Sequence, residues 1–520
     1  MSGPAYHEGM DSLHAPLDPE LCYPALLARD ARFDGQWFVA VRSTGIYCRP
    51  ICRVRAPKRE NCQFFPSASL AEAAHFRPCL KCRPELAPAA RRWSAMDASE
   101  LLAAEAARWL DEQVGSGEPA SIAALAAHLG VSERHVRRVF QAQHGVAPLQ
   151  YLQTRRLLLA KQLLTDSLLP IAQVALASGF GSLRRFNAAF VQHYRLQPGS
   201  LRRERPASVT ACGEPALRLG YRPPLAVGAL LQFLADRAIP GVEQVDVAAG
   251  RISRSLSLWH QGLPLSGRIT LSFDTERAQL LLSPCSALWS ASAQLIPLVR
   301  RWLDLDAQPL AIDDSLARDA ALGPSVQAEP GLRLPGCVDR FELAVRAVLG
   351  QQVTVAAART LAARLVQRFG QALPPDQQLD AVHTLFPSPA ALAGLAPADI
   401  AELGIIRQRA QALIALAQAW PGLDFAAGRG TPGQALAQLQ ALPGIGPWTA
   451  HYMLMRGWSW PDIFPPGDIV LRRQLSPDPQ QPLSAALVDA RAQAFQPYRS
   501  YAVLRLWRQA ALAAGPARSP

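Results

Sequence analysis

Hydrophobic positions in one long stretch of the N-terminal half of the chain follow a helical spacing. From Ser99 to Arg205, stretches rich in Ala and Leu keep this period and break at glycines, as helices joined by short turns do. Residues 1–27 show no clear period, and we expect them to form a tail. A basic block rich in cysteine separates the tail from the helical stretch. The pattern predicts a mainly helical domain preceded by a small domain of another kind.

The spacing changes after residues 206–213, a stretch that predicts a linker. Alternating positions predict strands at 216–222, 252–259 and 267–273, and helical stretches lie at 225–237 and 291–304. From about Gly331 to Ala514 helical patterns return, cut by turns rich in Gly and Pro. This order of elements predicts an α+β domain followed by an all-α domain.

Length and composition favour several folded domains. The chain has 520 residues, which predicts three to five domains. Hydrophobic residues make up 49% and charged residues 18%, as expected of domains with hydrophobic cores. No run of about 18 apolar residues occurs, and the first residues lack a basic and then apolar signal pattern. A membrane protein and an exported protein are both disfavoured.

The positive charge is concentrated in two segments. The net charge is +12; residues 28–96 carry 13 Lys and Arg against 5 Asp and Glu, and residues 131–205 carry 12 against 3. These segments contribute +8 and +9, so the rest of the chain sums to −5. A local surplus of this kind is typical of surfaces that contact nucleic-acid phosphates.

Five of the nine cysteines lie within 35 residues. Cys48 and Cys52 form one close pair, and Cys79 and Cys82 form a second pair after 26 intervening residues. An odd number of cysteines without a signal peptide favours reduced thiols, and two close pairs can hold one tetrahedral Zn²⁺. Scattered buried thiols are the alternative. Cys62 lies between the pairs and is not expected to be a ligand.

The residues around both pairs resemble the zinc domain of the Ada adaptive-response family. The resemblance covers about residues 28–86 and includes Gly-Ile-Tyr-Cys-Arg-Pro-Ile-Cys and Phe-Arg-Pro-Cys-Leu-Lys-Cys. It implies that Cys48 accepts a methyl group from a methylphosphotriester in DNA, while Cys52, Cys79 and Cys82 are structural ligands. A tetrathiolate site has a net charge of about −2. Methylation makes the site less negative, with a net charge of about −1, which should raise its affinity for DNA. A purely structural zinc site is the alternative.

Two segments about 50 residues apart predict helix-turn-helix units. Residues 121–140 indicate a helix, a turn at Gly130 and a second helix capped by Ser132, and residues 171–190 repeat the theme. The polar side chains expected to face DNA are Arg134, Arg137, Arg138, Arg184, Arg185 and Asn187. The tandem arrangement resembles an AraC-type DNA-binding domain and implies a transcription activator that contacts RNA polymerase. A merely solvated charged face is the alternative.

A Pro-Gly-Ile-Gly turn between two helical stretches predicts a helix-hairpin-helix. The turn contains Gly444 and Gly446, whose amides can hold a DNA phosphate, although such a turn is more often a plain connection. Asp468 follows Gly446 by 22 residues. Together with Gly-Leu-Arg-Leu-Pro-Gly-Cys from Gly331 and Val-Leu-Gly-Gln-Gln ending at Gln352, these features resemble the AlkA-type 3-methyladenine DNA glycosylases. The resemblance covers about residues 214–510.

The same resemblance implies a role for each residue of a base-excision site. Asp468 is the expected catalytic carboxylate, although an Asp before a helix is also a common cap. Trp448 stands where bifunctional relatives carry a nucleophilic Lys, which implies a monofunctional enzyme that uses water. Trp448, Tyr452 and Trp507 match aromatic positions of a pocket for a flipped cationic base, although each could be a core residue. Gln352 occupies the position of the duplex wedge.

The sequence therefore predicts a multidomain, mainly α protein. The expected parts are a tail at 1–27, a small zinc α+β domain at 28–96, an AraC-type domain at 97–205, a linker at 206–213, an AlkA-type N-terminal α+β domain at 214–325, an all-α helix-hairpin-helix glycosylase domain at 326–512 and a tail at 513–520.

The predicted function combines a methylation-switched regulator with an alkylbase glycosylase. Double-stranded DNA and RNA polymerase are the expected partners, no membrane is expected, and the expected location is the cytoplasm at the bacterial nucleoid. One rival is an activator whose glycosylase half is inactive; another is a zinc-containing glycosylase without a regulatory role. The Pro-Cys-His-Arg motif of the second Ada methyltransferase does not occur, so direct reversal of alkylguanine is not expected.

Overall fold

A computed structural model gives the structure of the chain as two compact units. The described residues are 17–88, 98–115, 120–203, 215–260, 262–379, 381–428, 431–478 and 480–514. The first unit comprises Met1–Gly220 with Ser290–Gln294, and the second comprises Tyr221–Trp289 with Leu295–Pro520. The predicted linker at 206–213, residues 1–16 of the predicted N-terminal tail and residues 515–520 of the predicted C-terminal tail lie outside the described residues. Ala513 and Ala514 belong to the last helix, so the prediction of a tail at 513–520 is wrong for these two residues.

The first unit contains a helix where the pattern predicts a tail. Helix α1 (Pro19–Ala28) begins after Asp18, whose side chain caps it, so the prediction of a tail at 1–27 is wrong for this segment. Cys22 and Leu26 are buried, and they belong to the same hydrophobic cluster as the cysteines of the next segment. With so few turns, the helix does not produce a period that stands out in the sequence.

A four-stranded sheet follows and brings the two cysteine pairs together. In chain order the elements are β1 (Phe38–Val41), β2 (Ile46–Cys48), β3 (Cys62–Phe65), the short helix α2 (Ala68–Ala73) and β4 (Arg77–Pro78). In the sheet the strands lie side by side in the order β3–β1–β2–β4. Strands β2 and β4 run parallel with Tyr47 opposite Pro78. Cys48 ends β2 and Cys79 directly follows β4, so the parallel pairing places them side by side.

The tandem helix-turn-helix pattern is confirmed. The remaining elements of this unit are α3 (Ala98–Glu112), α4 (Ile122–Leu129), α5 (Glu133–His144), α6 (Pro148–Asp166), α7 (Ile171–Ala177), α8 (Leu183–Tyr194), α9 (Pro198–Arg203) and β5 (Leu217–Gly220). Gly130 has a φ of 68° at the turn between α4 and α5, and Ser132 caps α5 by accepting the His135 N–H. Ser182 caps α8 in the same way through Arg185.

The second unit begins with a helix and antiparallel strands. They are α10 (Val227–Ala235), β6 (Glu243–Asp246), β7 (Arg251–His260), β8 (Leu263–Asp274) and β9 (Gln279–Pro284). The predicted strands at 252–259 and 267–273 are confirmed. Strands β6 and β9 are additional, because the first is short and polar and the second is a nearly continuous apolar run, so neither shows the alternation that marks a half-buried strand.

The rest of this unit is mainly helical around one hydrophobic core and includes a pair of short strands; the first helix begins in the segment Ser290–Gln294 that is counted with the first unit. Its elements are α11 (Ser292–Trp302), α12 (Pro309–Leu316), α13 (Gly323–Ala328), α14 (Arg340–Leu349), α15 (Val355–Phe369), β10 (Gln371–Ala372), β11 (Thr384–Leu385), α16 (Pro389–Ala393), α17 (Pro397–Ala401), α18 (Arg407–Ala419), α19 (Asp424–Ala427), α20 (Pro432–Gln440), α21 (Pro447–Gly457), α22 (Ile469–Gln474), α23 (Ala485–Ala492) and α24 (Arg499–Ala514). One cluster of buried side chains extends from Ala229 to Leu506. The multidomain, mainly α fold class is confirmed, and among the described residues no helix is long and apolar enough to cross a membrane.

Candidate functional site

The four predicted zinc ligands lie together at the ends of the parallel strands β2 and β4. The sulfur atoms of Cys48, Cys52, Cys79 and Cys82 all lie within 4.8 Å of one another. The first three side chains are buried, and Cys82 is partly exposed. Cys62 does not join them, since its thiol donates a hydrogen bond to the carbonyl of Lys58 at 3.3 Å.

Backbone N–H groups donate to two of these sulfurs and so stabilise them as thiolates, the form that binds a metal cation. The amide of Arg49 donates to Cys82 Sγ at 3.3 Å, and the amide of Lys81 donates to Cys79 Sγ at 3.4 Å. Hydrogen bonds between the sulfurs raise the pKa of Cys48, with Cys52 as the main partner, and lower that of Cys79. Four thiols this close cannot all ionise without a compensating charge, and soft sulfur donors in a tetrahedral set suit Zn²⁺. The four cysteines form a tetrathiolate site for one Zn²⁺.

The predicted DNA-facing residues lie on the second helix of each helix-turn-helix. Arg134, Arg137 and Arg138 are exposed on α5, although Arg137 forms an ion pair with Glu133 at 3.1 Å. Helix α8 contains no acidic residue. On this helix the side chains of Arg184 and Arg185 are exposed, and Asn187 is half-buried. Both helices present positive charge. In α5 part of this charge is paired with Glu133 of the same helix, whereas α8 contains no acidic residue.

The hairpin between α20 and α21 requires glycine at one of its two predicted positions. Gly444 has a φ of 77°, and a Cβ there would lie 2.7 Å from the Cβ of Ala412. Gly446 precedes α21 with a φ of −83°, and a Cβ there would meet no atom within 4 Å. Both glycines are exposed, so the amides at the start of α21 lie at the surface of the unit.

Gln351 supports this hairpin, although the sequence did not single it out. Its side-chain amide donates to the carbonyl of Gly444 at 2.8 Å and to the hydroxyl of Thr449 at 3.1 Å. Gln352 is exposed with a φ of 54°. The two adjacent glutamines therefore have different surroundings, one holding the hairpin and the other exposed. A Gln-Gln dipeptide alone carries no signal that distinguishes them.

Asp468 contacts a helix with one carboxylate oxygen and two tryptophans with the other. Oδ1 accepts the amides of Val470 at 2.9 Å and Leu471 at 3.0 Å, which caps α22. Oδ2 accepts the indole N–H of Trp448 at 2.8 Å and that of Trp507 at 3.3 Å. The side chain is only 8% exposed. The capping and the catalytic interpretations are therefore compatible in this geometry.

The three predicted pocket aromatics lie beside this carboxylate. The rings of Trp448 and Tyr452 stack with centroids 5.3 Å apart and an interplanar angle of 8°. Trp507 is tilted toward both, at 6.5 Å from Trp448 and 6.2 Å from Tyr452. All three side chains are only partly buried. The structure thus brings Asp468 and the aromatic trio together.

Arg456 is a further residue of this region that the sequence analysis missed. It donates to the Tyr452 hydroxyl at 2.9 Å, to the carbonyl of Gly336 at 3.0 Å and to the carbonyl of Pro335. Burial raises the pKa of Tyr452, but the guanidinium groups of Arg456 and other arginines outweigh it and bring that pKa below its usual value. Arg456 lies four residues after Tyr452 on α21, a spacing that places both side chains on one helix face.

Four family models match successive parts of the chain. The metal binding domain of Ada matches residues 21–85, and a helix-turn-helix domain matches residues 125–204. The AlkA N-terminal domain matches residues 216–339, and the HhH-GPD superfamily of base excision DNA repair proteins matches residues 345–478. The matches therefore extend over both units.

One relative matches almost the whole chain, and others match parts of it. A "Probable bifunctional transcriptional activator/DNA repair enzyme AlkA" of Mycobacterium tuberculosis is 38% identical over 94% of this chain and 96% of its own length. "DNA-3-methyladenine glycosylase 2" of Escherichia coli is 36% identical over 56% of this chain and 95% of its own length. "Bifunctional transcriptional activator/DNA repair enzyme Ada" of Escherichia coli is 40% identical over 26% of this chain and 35% of its own length.

Proposed function

Because the chain belongs to the family of bifunctional transcriptional activator/DNA repair enzymes, we propose that it couples the sensing of alkylated DNA to the removal of alkylated bases. The chain joins an Ada-like regulatory half to an AlkA-type DNA glycosylase half. It binds DNA, and it holds one Zn²⁺ through four cysteines.

The double contact of Asp468 supports its role in the glycosylase reaction. Two helix amides and two indole N–H groups hold the carboxylate in one orientation beside the aromatic pocket. As the N-glycosidic bond breaks, positive charge develops on the sugar, and a fixed carboxylate stabilises it. The carboxylate of Asp468 can also orient the attacking water. Trp448 offers no amine, so the expected product is an abasic site in an intact strand.

The aromatic trio and the hairpin supply recognition in this proposal. Alkylation gives bases such as 3-methyladenine a positive charge, which the faces of Trp448, Tyr452 and Trp507 attract. Gln352, exposed on its loop, enters the duplex where the base leaves. The amides next to Gly446 bind a backbone phosphate. Incubation with a duplex that carries 7-methylguanine is expected to release free base without cutting the strand, and release of no base would contradict the proposal.

The rival interpretation, an inactive glycosylase half, is not supported. Decay of the activity would be expected to remove the carboxylate or open the pocket. Asp468 instead has four N–H partners, and all three aromatic side chains lie within 6.5 Å of one another, measured between ring centroids. These contacts favour a working site.

Cys48 is the proposed methyl acceptor of the regulatory half. Its thiolate attacks the methyl carbon of a methylphosphotriester, a new S–CH₃ bond forms, and the O–CH₃ bond breaks with its electron pair left on the phosphate oxygen. A Zn²⁺ ion bound there would keep the cysteine sulfurs deprotonated at neutral pH while leaving them nucleophilic. Cys52, Cys79 and Cys82 would hold this ion, and Cys48 would be its fourth ligand. The methylated site carries one negative charge less, so the repulsion between this domain and DNA falls.

A labelled methyl group tests this assignment without requiring a folded variant. We expect a deuterated methyl from a phosphotriester duplex to appear, after digestion and tandem mass spectrometry, on Cys48 and on no other cysteine. A Cys48→Ser variant should accept no methyl, whereas Cys62→Ala, which removes a thiol outside the cluster, should accept it normally. Label on Cys52, Cys79 or Cys82, or no transfer at all, would contradict the proposal.

The two basic helices are proposed to read promoter DNA once Cys48 is methylated. Arg134, Arg137 and Arg138 would contact DNA from α5, and Arg184, Arg185 and Asn187 from α8. An activator of this kind would contact RNA polymerase and work on the bacterial chromosome. Equal promoter affinity before and after methylation would instead favour a zinc-containing glycosylase without a regulatory role.

A further inference from the structure

The zinc-binding segment is anchored to the helix that joins the two helix-turn-helix units. Arg83, the residue after the last zinc ligand, donates to Asp166 at 2.6 Å and to Glu85 at 2.9 Å. Glu85 also forms an ion pair with Lys161. These four side chains are at most 4% exposed, and Lys161 and Asp166 both belong to α6. Charges this well buried and paired hold the two parts of the first unit in one arrangement.

A second polar connection runs from the zinc site to α8. The hydroxyl of Tyr47 donates to Glu72 Oε1 at 2.7 Å, and His193 Nε2 lies 2.5 Å from Glu72 Oε2. Tyr47 directly precedes Cys48 and is fully buried, and its carbonyl accepts the Cys79 N–H at 2.9 Å. His193 lies in the last turn of α8. Three side chains therefore connect the residue beside the methyl acceptor to the second DNA-facing helix.

Both oxygens of Glu72 have a partner, which offsets the cost of burying the side chain and also fixes its geometry. Burying a carboxylate is costly unless both oxygens are paired, and apolar side chains of similar volume are often as stable or more stable in such places. What hydrogen bonds to a charged group add is direction, because they fix the relative positions of the elements that carry them. Here the fixed elements are β2, α2 and α8.

We propose that Tyr47, Glu72 and His193 transmit the methylation of Cys48 to α8 and so change the DNA contacts of the second helix-turn-helix. The proposal rests on the proposed role of Cys48. A methyl group on Cys48 Sγ adds volume at the end of β2 and weakens one ligand bond. Any shift of β2 moves the Tyr47 hydroxyl, and the buried carboxylate of Glu72 passes the displacement to His193. Positioning residues of this kind touch neither the methyl group nor DNA.

The test compares promoter-type DNA binding before and after methylation. The full-length chain is first methylated with methylphosphotriester DNA, and its affinity is measured for a duplex that the methylated wild-type protein selects from a random-sequence pool. We expect Tyr47→Phe and His193→Gln each to reduce the affinity gain on methylation by about tenfold, the factor that corresponds to about 1.4 kcal/mol. The double variant should lose no more than either single variant, because each breaks the same connection.

Matched controls separate this connection from general damage. Tyr23→Phe removes a hydroxyl that donates to the Pro57 carbonyl in the same domain, and His128→Gln removes an imidazole that pairs with Glu105 in the first helix-turn-helix unit. Both controls should keep the wild-type gain. Hydroxyl-radical footprints should show the loss over the DNA segment that α8 covers, with the remaining protection unchanged.

Each outcome bears on one claim. An unchanged gain in Tyr47→Phe and His193→Gln, with methyl transfer intact, overturns the connection and leaves the proposed function standing. A wild-type protein that accepts no methyl group overturns the proposed role of Cys48 instead. Zinc content and methyl transfer report on folding of the zinc domain in each variant. If Tyr47→Phe loses zinc, His193→Gln alone decides, because its side chain lies outside the zinc domain.

Discussion

Individual side chains in the glycosylase half carry two tasks at once. Asp468 caps α22 through one oxygen and faces two indole N–H groups through the other. The sequence identifies this aspartate by its distance from the hairpin, and it equally predicts a cap. Which oxygen meets which partner depends on where α24 places Trp507, and no local pattern contains that information. The role of Arg456 could not be predicted for the same reason, because its carbonyl partners lie about 120 residues earlier in the sequence.

Tyr452 is expected to ionise at lower pH than Tyr221. Burial opposes ionisation, but Arg456 and other arginines lower the pKa of its hydroxyl below the usual value, whereas burial raises the pKa of Tyr221 to about 12. Ionised Tyr452 therefore contributes stability that is complete above the usual tyrosine pKa and is lost as the pH falls through the lowered value. Absorbance near 295 nm during a pH titration measures the tyrosinate that forms.

A component of this titration below the usual tyrosine pKa should disappear in Tyr452→Phe and persist in Tyr221→Phe. Arg456→Gln should move that component to higher pH, because it removes a guanidinium that donates to this hydroxyl. A component of this kind that survives in Tyr452→Phe would show that the arginines around the pocket do not act on this hydroxyl.

At the scale of helices and strands, the sequence predicts the features that depend on a few neighbouring residues, such as helix ends. Ser132 and Gly130 mark the ends of α5 and α4, because a cap and a positive φ depend on few neighbouring residues. Strands β6 and β9 and helix α1 were not predicted, since each is stabilised by the sheet or core against which it packs. The zinc ligands could be predicted from spacing, but the parallel pairing of β2 with β4 that joins them could not.

The two hairpin glycines offer a matched pair of substitutions. Gly444→Ala should lower the free energy of unfolding by about 2–4 kcal/mol, because alanine is strained at positive φ and its Cβ would overlap with Ala412. Gly446→Ala should cost about 1 kcal/mol or less, since its φ is negative and the space is open. Hydrogen exchange of peptides from α20 and α21 measures the difference. Equal protection in both variants would mean that the hairpin does not adopt this turn.

At the scale of the whole molecule, the two units keep separate chemistry. The tetrathiolate site lies in the first unit, and Asp468 with its aromatic neighbours lies in the second, within a unit that has its own hydrophobic core. The succession of domain types could be predicted from motifs. The anchoring of the zinc domain on α6 could not, because Arg83 and Asp166 are 83 residues apart and neither belongs to a motif.

Removal of zinc should separate the two activities. Chelation is expected to unfold the zinc domain and abolish methyl acceptance, because the binding energy of a structural metal is also folding energy. Base release should stay within about twofold of the untreated protein, since Asp468 and its aromatic neighbours belong to the second unit, which has its own hydrophobic core. Methyl transfer and base release measured on the same sample test this expectation. A parallel loss of both activities would contradict the independence of the two chemistries.

Base release by the Asp468→Asn variant tests the central claim most directly. Asparagine keeps an oxygen for the helix cap but loses the negative charge. Asp339→Asn is the matched control, because Asp339 caps α14 through two amides without being part of the pocket. With duplexes that contain 3-methyladenine or 7-methylguanine, we expect wild-type protein and Asp339→Asn to release free base, and Asp468→Asn to be slower by at least about 100-fold. Equal release by Asp468→Asn, or no release by the folded wild-type protein, would contradict a glycosylase that depends on this carboxylate.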